Sequence, residues 1–326
     1  MSRPVLIFTV ALAAYAMLNV AASIVVALTW RFGLARRQFS PPVVRARRLL
    51  WLRAMPSLAP ALLTVGIVTP AFAIFEPDRP SEIAGPAVMA LALAASIQIA
   101  VSLGIALAAA LRTRAATRAW LKGGVQLNVD PPAGVPAYVI DAVAPIVALV
   151  GAFRPTLVAA RSVIDACTAA ELAAIVAHER GHLSSRDNLK RLLIASAPDA
   201  LRWTTVHQHI AAAWNDAAED AADDAATPGD AASRVDLAAL LIKIARLTPR
   251  PVWPAATVSP FVEPSGLDRR VRRLLARQEA VTSGGSVALT AITMLAGCAL
   301  VTALATRPGT LEGIYGLAEA LVAFGR

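Results

Sequence analysis

His178, Glu179 and His182 stand in the order His-Glu-x-x-His within "AAELAAIVAHERGHLSSRDN". On a helix the two histidines fall one turn apart on a single side, so both imidazoles can reach one ion at about 2.0–2.1 Å. Glu179, next in sequence, points just aside from that ion, where its carboxylate can take a proton from a bound water. Zinc lowers the pKa of its water towards 7, and a general base that passes the proton on to a leaving amine completes a peptide hydrolysis. Catalytic zinc usually has three protein ligands and an open position, so a third donor must come from elsewhere.

The stretch "WNDAAEDAADDAA" offers that donor. Glu219 and Asp223 are four apart on a second expected helix, whose small alanines would let it approach the first closely. Glu219 is the expected third ligand. Asp223 is expected to accept a hydrogen bond from the far nitrogen of a ligand histidine and so fix its tautomer. Asp216 shares that face, while Asp220 and Asp224 are rotated off it. Taken alone, a chance HExxH or a solvated acidic helix face would be the ordinary reading of either stretch. Here two of only four histidines occupy the motif and a matching acidic helix follows, which favours a zinc site. His207 and His209, two apart, would point to different sides of a helix. They read as surface or packing residues, with stabilisation of a developing oxyanion as a minor alternative for one of them.

The elements that must position these groups are also legible. Thr168 and Glu171 form a capping box that starts the histidine helix, and Leu172, Ile175, Val176 and Leu183 supply its apolar face. Cys167 and Cys298 are the only cysteines, so neither a disulfide framework nor a cysteine zinc site is expected.

The rest of the chain reads as membrane. Of 326 residues 57% are apolar and 16% charged, and the mean hydropathy is +0.59. Apolar runs cover residues 4–30, 54–75 and 85–111. The first is followed by Arg31, Arg36, Arg37, Arg45, Arg47, Arg48 and Arg53, so it should run from outside to inside and stay uncleaved, with the N-terminus outside. The second contains Pro56, Pro60 and Pro70, tolerable where neighbours satisfy the freed carbonyls. The loop "EPDRPSE" after it is mostly acidic, and the third run returns to the basic "RTRAATRAWLK". Residues 112–284 change character and are expected to form a cytoplasmic peptidase domain. Pro198, Asp199 and Arg202 interrupt 189–214, so no further span is expected there. The domain closes with "LDRRVRRLLARQE", whose arginines read as an inside anchor for the next span or as an anionic-lipid patch. A fourth span is expected at 285–306 and a short extracytoplasmic tail, able to lie on the bilayer surface, at 307–326. The net charge of +9 therefore reads as topology information, and direct nucleic-acid binding is not expected. The fold class is integral membrane and mainly α: four transmembrane helices, with a mostly helical HExxH zinc-peptidase domain carrying a small β edge inserted between the third and fourth.

The order "GAFRPTLVAA", "TAAELAAIVAHERGHLSSRDNL" and "EDAAD", with three apolar spans before and one after, resembles the BlaR/MecR-type membrane zinc metallopeptidases. More loosely it resembles the HtpX and CAAX-prenyl peptidases, which share HExxH and ExxAD. The specific motifs lie within 145–225. The resemblance implies His178, His182 and Glu219 as zinc ligands, Glu179 as catalytic base and Asp223 as orienting carboxylate. Asp187 matches a position that is often acidic in that family. "PIVALVGAFRP" would supply an edge strand on which substrate backbone pairs by strand addition. The resemblance also implies a bacterial cytoplasmic membrane, a domain facing the cytoplasm, and a protein substrate such as a cytoplasmic transcriptional repressor. The family's antibiotic sensors carry a penicillin-binding domain after the last span, where this chain has 20 residues, so a β-lactam sensor role is not expected. Two alternatives stand beside this: a housekeeping, HtpX-like quality-control protease, and a non-catalytic receptor or scaffold whose zinc is structural, closed by a fourth ligand from His207, His209 or Asp216.

Overall fold

The computed structural model describes residues 2–33, 41–76, 84–126, 134–142, 146–229, 231–247, 258–260, 266–276 and 308–323. Its first part is a bundle of long apolar helices. Helix α1 is Arg3–Arg31; α2 is Pro42–Leu63, continuing through a π-helical turn at Thr64–Val68 into α3, Thr69–Phe75; α4 is Pro86–Leu121. The three resulting rods are each long and apolar enough to cross a membrane. The expected fourth span, 285–306, lies outside the described residues. Two rods outrun their apolar stretches: the second begins at Pro42 rather than at residue 54, and α4 continues to Leu121 rather than 111. The basic turns of α2 stay helical because some of their arginines find carboxylates on the following domain.

Proline in α2 leaves a repair visible in the structure. Pro60 has no N–H, so the carbonyl of Pro56 loses its helical donor; Asn19 of α1 replaces it, donating from Nδ2 to Pro56 O at 2.7 Å.

After α4 come β1 (Val125–Gln126), β2 (Ala137–Ile140), β3 (Val147–Val150) and β4 (Thr156–Ala160), then α5 (Arg161–Ala166), α6 (Ala169–Ser185) and α7 (Asp187–Ser196). A 3₁₀ turn at Ala200–Trp203 leads into α8 (Thr205–Ala226), α9 (Ala231–Leu247), β5 (Val258–Pro260), α10 (Leu267–Leu275) and α11 (Pro308–Ala323). The strands form one sheet in the order β1-β2-β4-β3-β5, with β2 and β4 parallel and the other pairs antiparallel. Val147, Leu157, Val163 and Ile175 pack with Leu237, Leu241 and Ile244 of α9 and Leu274 of α10 into the domain core. The stretch expected to be an edge strand is interior: β3 is buried along its length and pairs with β4 on one side and β5 on the other. A continuous apolar run such as "IVALV" suits a strand covered on both sides, and the strand that covers it lies about 110 residues downstream.

The α6 start is as expected. Thr168 Oγ1 accepts from Glu171 N–H at 3.3 Å, and Glu171 Oε2 accepts from Thr168 N–H at 2.7 Å. Lys243 of α9 donates to the same carboxylate at 2.7 Å. Thr168→Ala removes one half of the box and is expected to lower unfolding free energy by about 1 kcal/mol, measurable by chemical denaturation.

Helices α7 and α8 form a hairpin whose tip is wedged among the spans. Tyr15 Oη donates to Pro198 O at 2.7 Å, Asn19 Oδ1 accepts from Ala200 N–H at 3.0 Å, and Gln98 Nε2 donates to Asn19 Oδ1 at 3.3 Å. Asn19 precedes the α1 end at Arg31 by 12 residues, about 18 Å of helix rise, so the tip reaches deep into the bundle without crossing it. Non-helical backbone at such depth is tolerated because protein groups satisfy it. Arg53 of α2 pairs there with Asp199 and donates from Nε to His207 Nδ1 at 2.9 Å, while Ser57 Oγ donates to Asp199 Oδ2 at 2.9 Å.

Two contacts of the C-terminal part add to the sequence reading. Arg269, Arg270 and Arg273 of α10 pair with carboxylates of α8, whereas Arg272 is exposed and pairs with Asp268 of its own helix. A run of arginines beside an apolar segment looks the same in sequence whether its partner is a lipid headgroup or an acidic helix 50 residues upstream. Helix α11 does not lie apart from the bundle; Tyr315 packs on Phe72 and Phe75 of α3, with ring centroids 5.6 and 6.0 Å apart.

Candidate metal centre

Helix α6 presents His178 and His182 from one face, and α8 crosses it to present Glu219 and Asp223. What lets the helices come so close is Gly181, inside the motif itself. A Cβ there would lie 3.1 Å from Ala222 Cα and 3.3 Å from Ala222 Cβ, tighter than ordinary packing. The alanines of α8 were expected to permit this approach; the glycine opposite them was not singled out.

The donor atoms converge. His178 Nε2 lies 3.1 Å from His182 Nε2 and 3.5 Å from Glu219 Oε2, and His182 Nε2 lies 3.5 Å from Glu219 Oε1. Tetrahedral ligands with bonds of about 2.0–2.1 Å stand about 3.3 Å apart, so this separation is that of atoms sharing one ion. The far nitrogens are held as well: His178 Nδ1 faces Asp223 Oδ1 at 3.1 Å, and His182 Nδ1 faces Asp187 Oδ2 at 2.9 Å. A carboxylate only accepts, so in the neutral imidazoles both Nδ1 atoms carry the proton and both Nε2 lone pairs point inward with Glu219. Among the described residues these three are the group placed to hold a metal.

The electrostatics of the cradle call for a cation. Burial works against a charge on His182, yet the Glu219 and Asp187 carboxylates outweigh it and lift its imidazole to about 10. Burial likewise opposes charge on Glu219, but His182 and Arg270 hold its carboxyl well below the usual range. Asp223 is held down at about 2, again against burial, chiefly by Arg270.

Glu179 is fully buried beside the donors, and neither of its carboxylate oxygens has a hydrogen-bond partner among the described residues. Burial pushes its carboxyl up, offset in part by the two histidines. A buried carboxylate with nothing to hold it is costly unless it is used.

Other expected residues lie elsewhere. His207 and His209 stand 12 and 10 residues before Glu219 on α8, about 15–18 Å along the helix, with His207 engaged by Arg53. Asp216 turns to Arg269 at 3.3 Å. Asp220, rotated away from the donors, pairs with Arg45 of α2 and Arg269 of α10.

Three residues around the centre were not assigned these contacts beforehand. Arg270 donates to Asp223 twice, from Nη2 at 2.6 Å and Nε at 3.0 Å, and approaches Glu219 Oε2 at 3.1 Å through Nη1. Arg191 donates to Glu219 Oε1 at 3.1 Å and to Asn215 Oδ1 at 3.1 Å, with its guanidinium 5.9 Å from the Trp214 ring centre. Both arginines come from elements outside the two motifs, so no local spacing pointed to them. Asp187, known only as an acidic position in the resemblance, reaches back to His182 because Arg186 adopts a left-handed conformation (φ 53°, ψ 42°) that turns α6 into α7. Asp187→Ala is expected to weaken metal binding about 10–100-fold, measurable by competition with a chromophoric chelator.

Two imidazoles from one helix, a carboxylate from a second and a buried free carboxylate between them, set beside a bundle of apolar helices, define a metal-dependent hydrolase site on a membrane-type chain. Residues 125–249, which include all these donors, match the sequence model of peptidase family M48. The match supports a membrane metallopeptidase. No curated protein and no solved structure matches the chain.

Proposed function

We propose that this chain is a membrane-embedded zinc endopeptidase that works at the cytoplasmic face and cuts a protein substrate, a cytoplasmic regulator being the class of target. The observation that carries the reading is the convergence of His178 Nε2, His182 Nε2 and Glu219 within 3.1–3.5 Å while Asp223 and Asp187 hold the far nitrogens. Those three residues would hold the zinc, which when bound supplies Lewis acidity and brings the pKa of a water towards 7. Glu179 takes the proton of the attacking water and delivers it to the leaving amine. Asp223 and Asp187 keep both imidazoles in the ligating tautomer, and Arg270 fixes Asp223 in turn. Three donors rather than four among the described residues favour catalysis over a closed structural site.

Purified in detergent, the protein is expected to carry about one zinc per chain by elemental analysis. Chelation should abolish cleavage of a casein or peptide-mixture substrate and added zinc restore it; cleavage that survives complete metal removal would end the reading. Comparative proteomics of cells carrying the wild type or Glu179→Gln then separates roles. A single fragment that depends on Glu179 supports signalling, whereas many unfolded membrane clients support quality control.

A further inference from the structure

We propose that the cavity beside His182 is a substrate subsite for a carboxylate, read by Arg186. The inference rests on the peptidase reading above and adds what kind of peptide the centre accepts. The cavity encloses about 330 Å³ between the end of β3 and the α6–α7 corner, with His182 in its wall. Leu149, Phe153 and Pro155 contribute apolar lining, and the exposed Arg186 lines the cavity as well. The neighbouring polar side chains are already occupied. Asp187 is engaged by His182 and, at 3.3 Å, by Lys190. Asn188 donates to Leu149 O at 2.8 Å and Gly151 O at 3.2 Å. The Arg186 guanidinium is the charged group of the lining that has no partner among the described residues.

The backbone adds an independent observation. Arg186 is, among the described residues, the one non-glycine residue with positive φ. Glycine takes that conformation at no steric cost, whereas a side chain there is strained. The corner that aims Asp187 at His182 therefore needs the left-handed turn but not an arginine. An open cation at the rim of a pocket with apolar walls, next to a metal centre, suits a carboxylate on a short apolar stem. A glutamate side chain near the cut bond and the free C-terminus of a peptide both present that group.

The test uses the full-length protein in detergent with zinc. A mixture of peptides, each made with a free or an amidated C-terminus and with Glu, Gln or Lys at every position, is digested by wild type, Arg186→Glu, Arg186→Gln and Arg186→Gly. Binding of the same peptides to Glu179→Gln, with and without Arg186→Glu, is followed by fluorescence anisotropy. The expected result is about a tenfold preference of wild type for the carboxylate over its amide, carried by KM. Arg186→Gln and Arg186→Gly should lose that preference and Arg186→Glu reverse it towards Lys, with the thermal midpoint of Arg186→Gly equal to or above that of wild type. A preference for Glu at one position in amidated peptides identifies a side-chain subsite; a preference confined to free C-termini identifies an end-reading one. Cleavage with no carboxylate preference, or one unchanged in Arg186→Glu, overturns the subsite and leaves the peptidase standing. Carboxylate binding that depends on Arg186 without any cleavage does the opposite. Neither cleavage nor such binding removes both.

Discussion

Glu179→Gln is expected to slow peptide hydrolysis by about 10²–10⁴-fold while the protein keeps its metal. The substitution keeps the size of the side chain and removes its ability to take a proton. Glu179 is fully buried and its two oxygens have no hydrogen-bond partner among the described residues, so no ion pair is broken by the change. Burial already disfavours its charged form, and the neutral amide should fold at least as well as the acid. The proposed metal ligands are other atoms, His178 Nε2, His182 Nε2 and a Glu219 oxygen. Zinc content by elemental analysis and turnover of one peptide are the two measurements. A variant that cleaves as fast as wild type removes Glu179 from the chemistry; one that loses zinc as well makes it part of the cradle.

Removing Asp199 should cost about 3–5 kcal/mol of stability, because its partner Arg53 is then an unpaired charge in the interior of the helix bundle. Both side chains are buried, and the pair joins the second spanning rod to the tip of the α7–α8 hairpin. Asp199→Ala and Arg53→Ala each leave one charge stranded, whereas Arg53→Met combined with Asp199→Leu removes both and should recover most of the loss. Denaturation in detergent, followed by tryptophan fluorescence, reads the difference. Single variants as stable as wild type, or a double variant no better than the singles, would show that the pair contributes nothing.

The sequence carried the parts of this centre that depend on one helix at a time. That His178 and His182 share a face, that Thr168 starts their helix, and that Glu219 and Asp223 lie one turn apart all follow from a period of 3.6 residues. Contacts between elements distant in sequence were not legible. Arg53 with Asp199, Arg270 with Asp223 and β5 with β3 join residues 146, 47 and about 110 positions apart, and nothing near any of these residues names its partner. The same holds for α10: its local surroundings match a membrane flank, and only the folded chain sets Arg269, Arg270 and Arg273 against the acids of α8. Three apolar helices lie where hydropathy sets the runs, and two of them continue as helix beyond those runs, α2 with Arg45 and Arg53 paired to α8 and the hairpin.

One consequence concerns how this centre can be moved. Arg45 grips Asp220, next to Glu219, and eight residues on Arg53 grips Asp199 and His207 at the other end of the same α8 hairpin. These fastenings stand about 12 Å apart along α2, so the two helices cannot slide past one another without breaking both. A displacement of α2 along its axis would therefore carry α8 with it. Helix α10 is fastened to the same helix through Arg269, Arg270 and Arg273, so Glu219 and Asp223 sit on an element held from two sides.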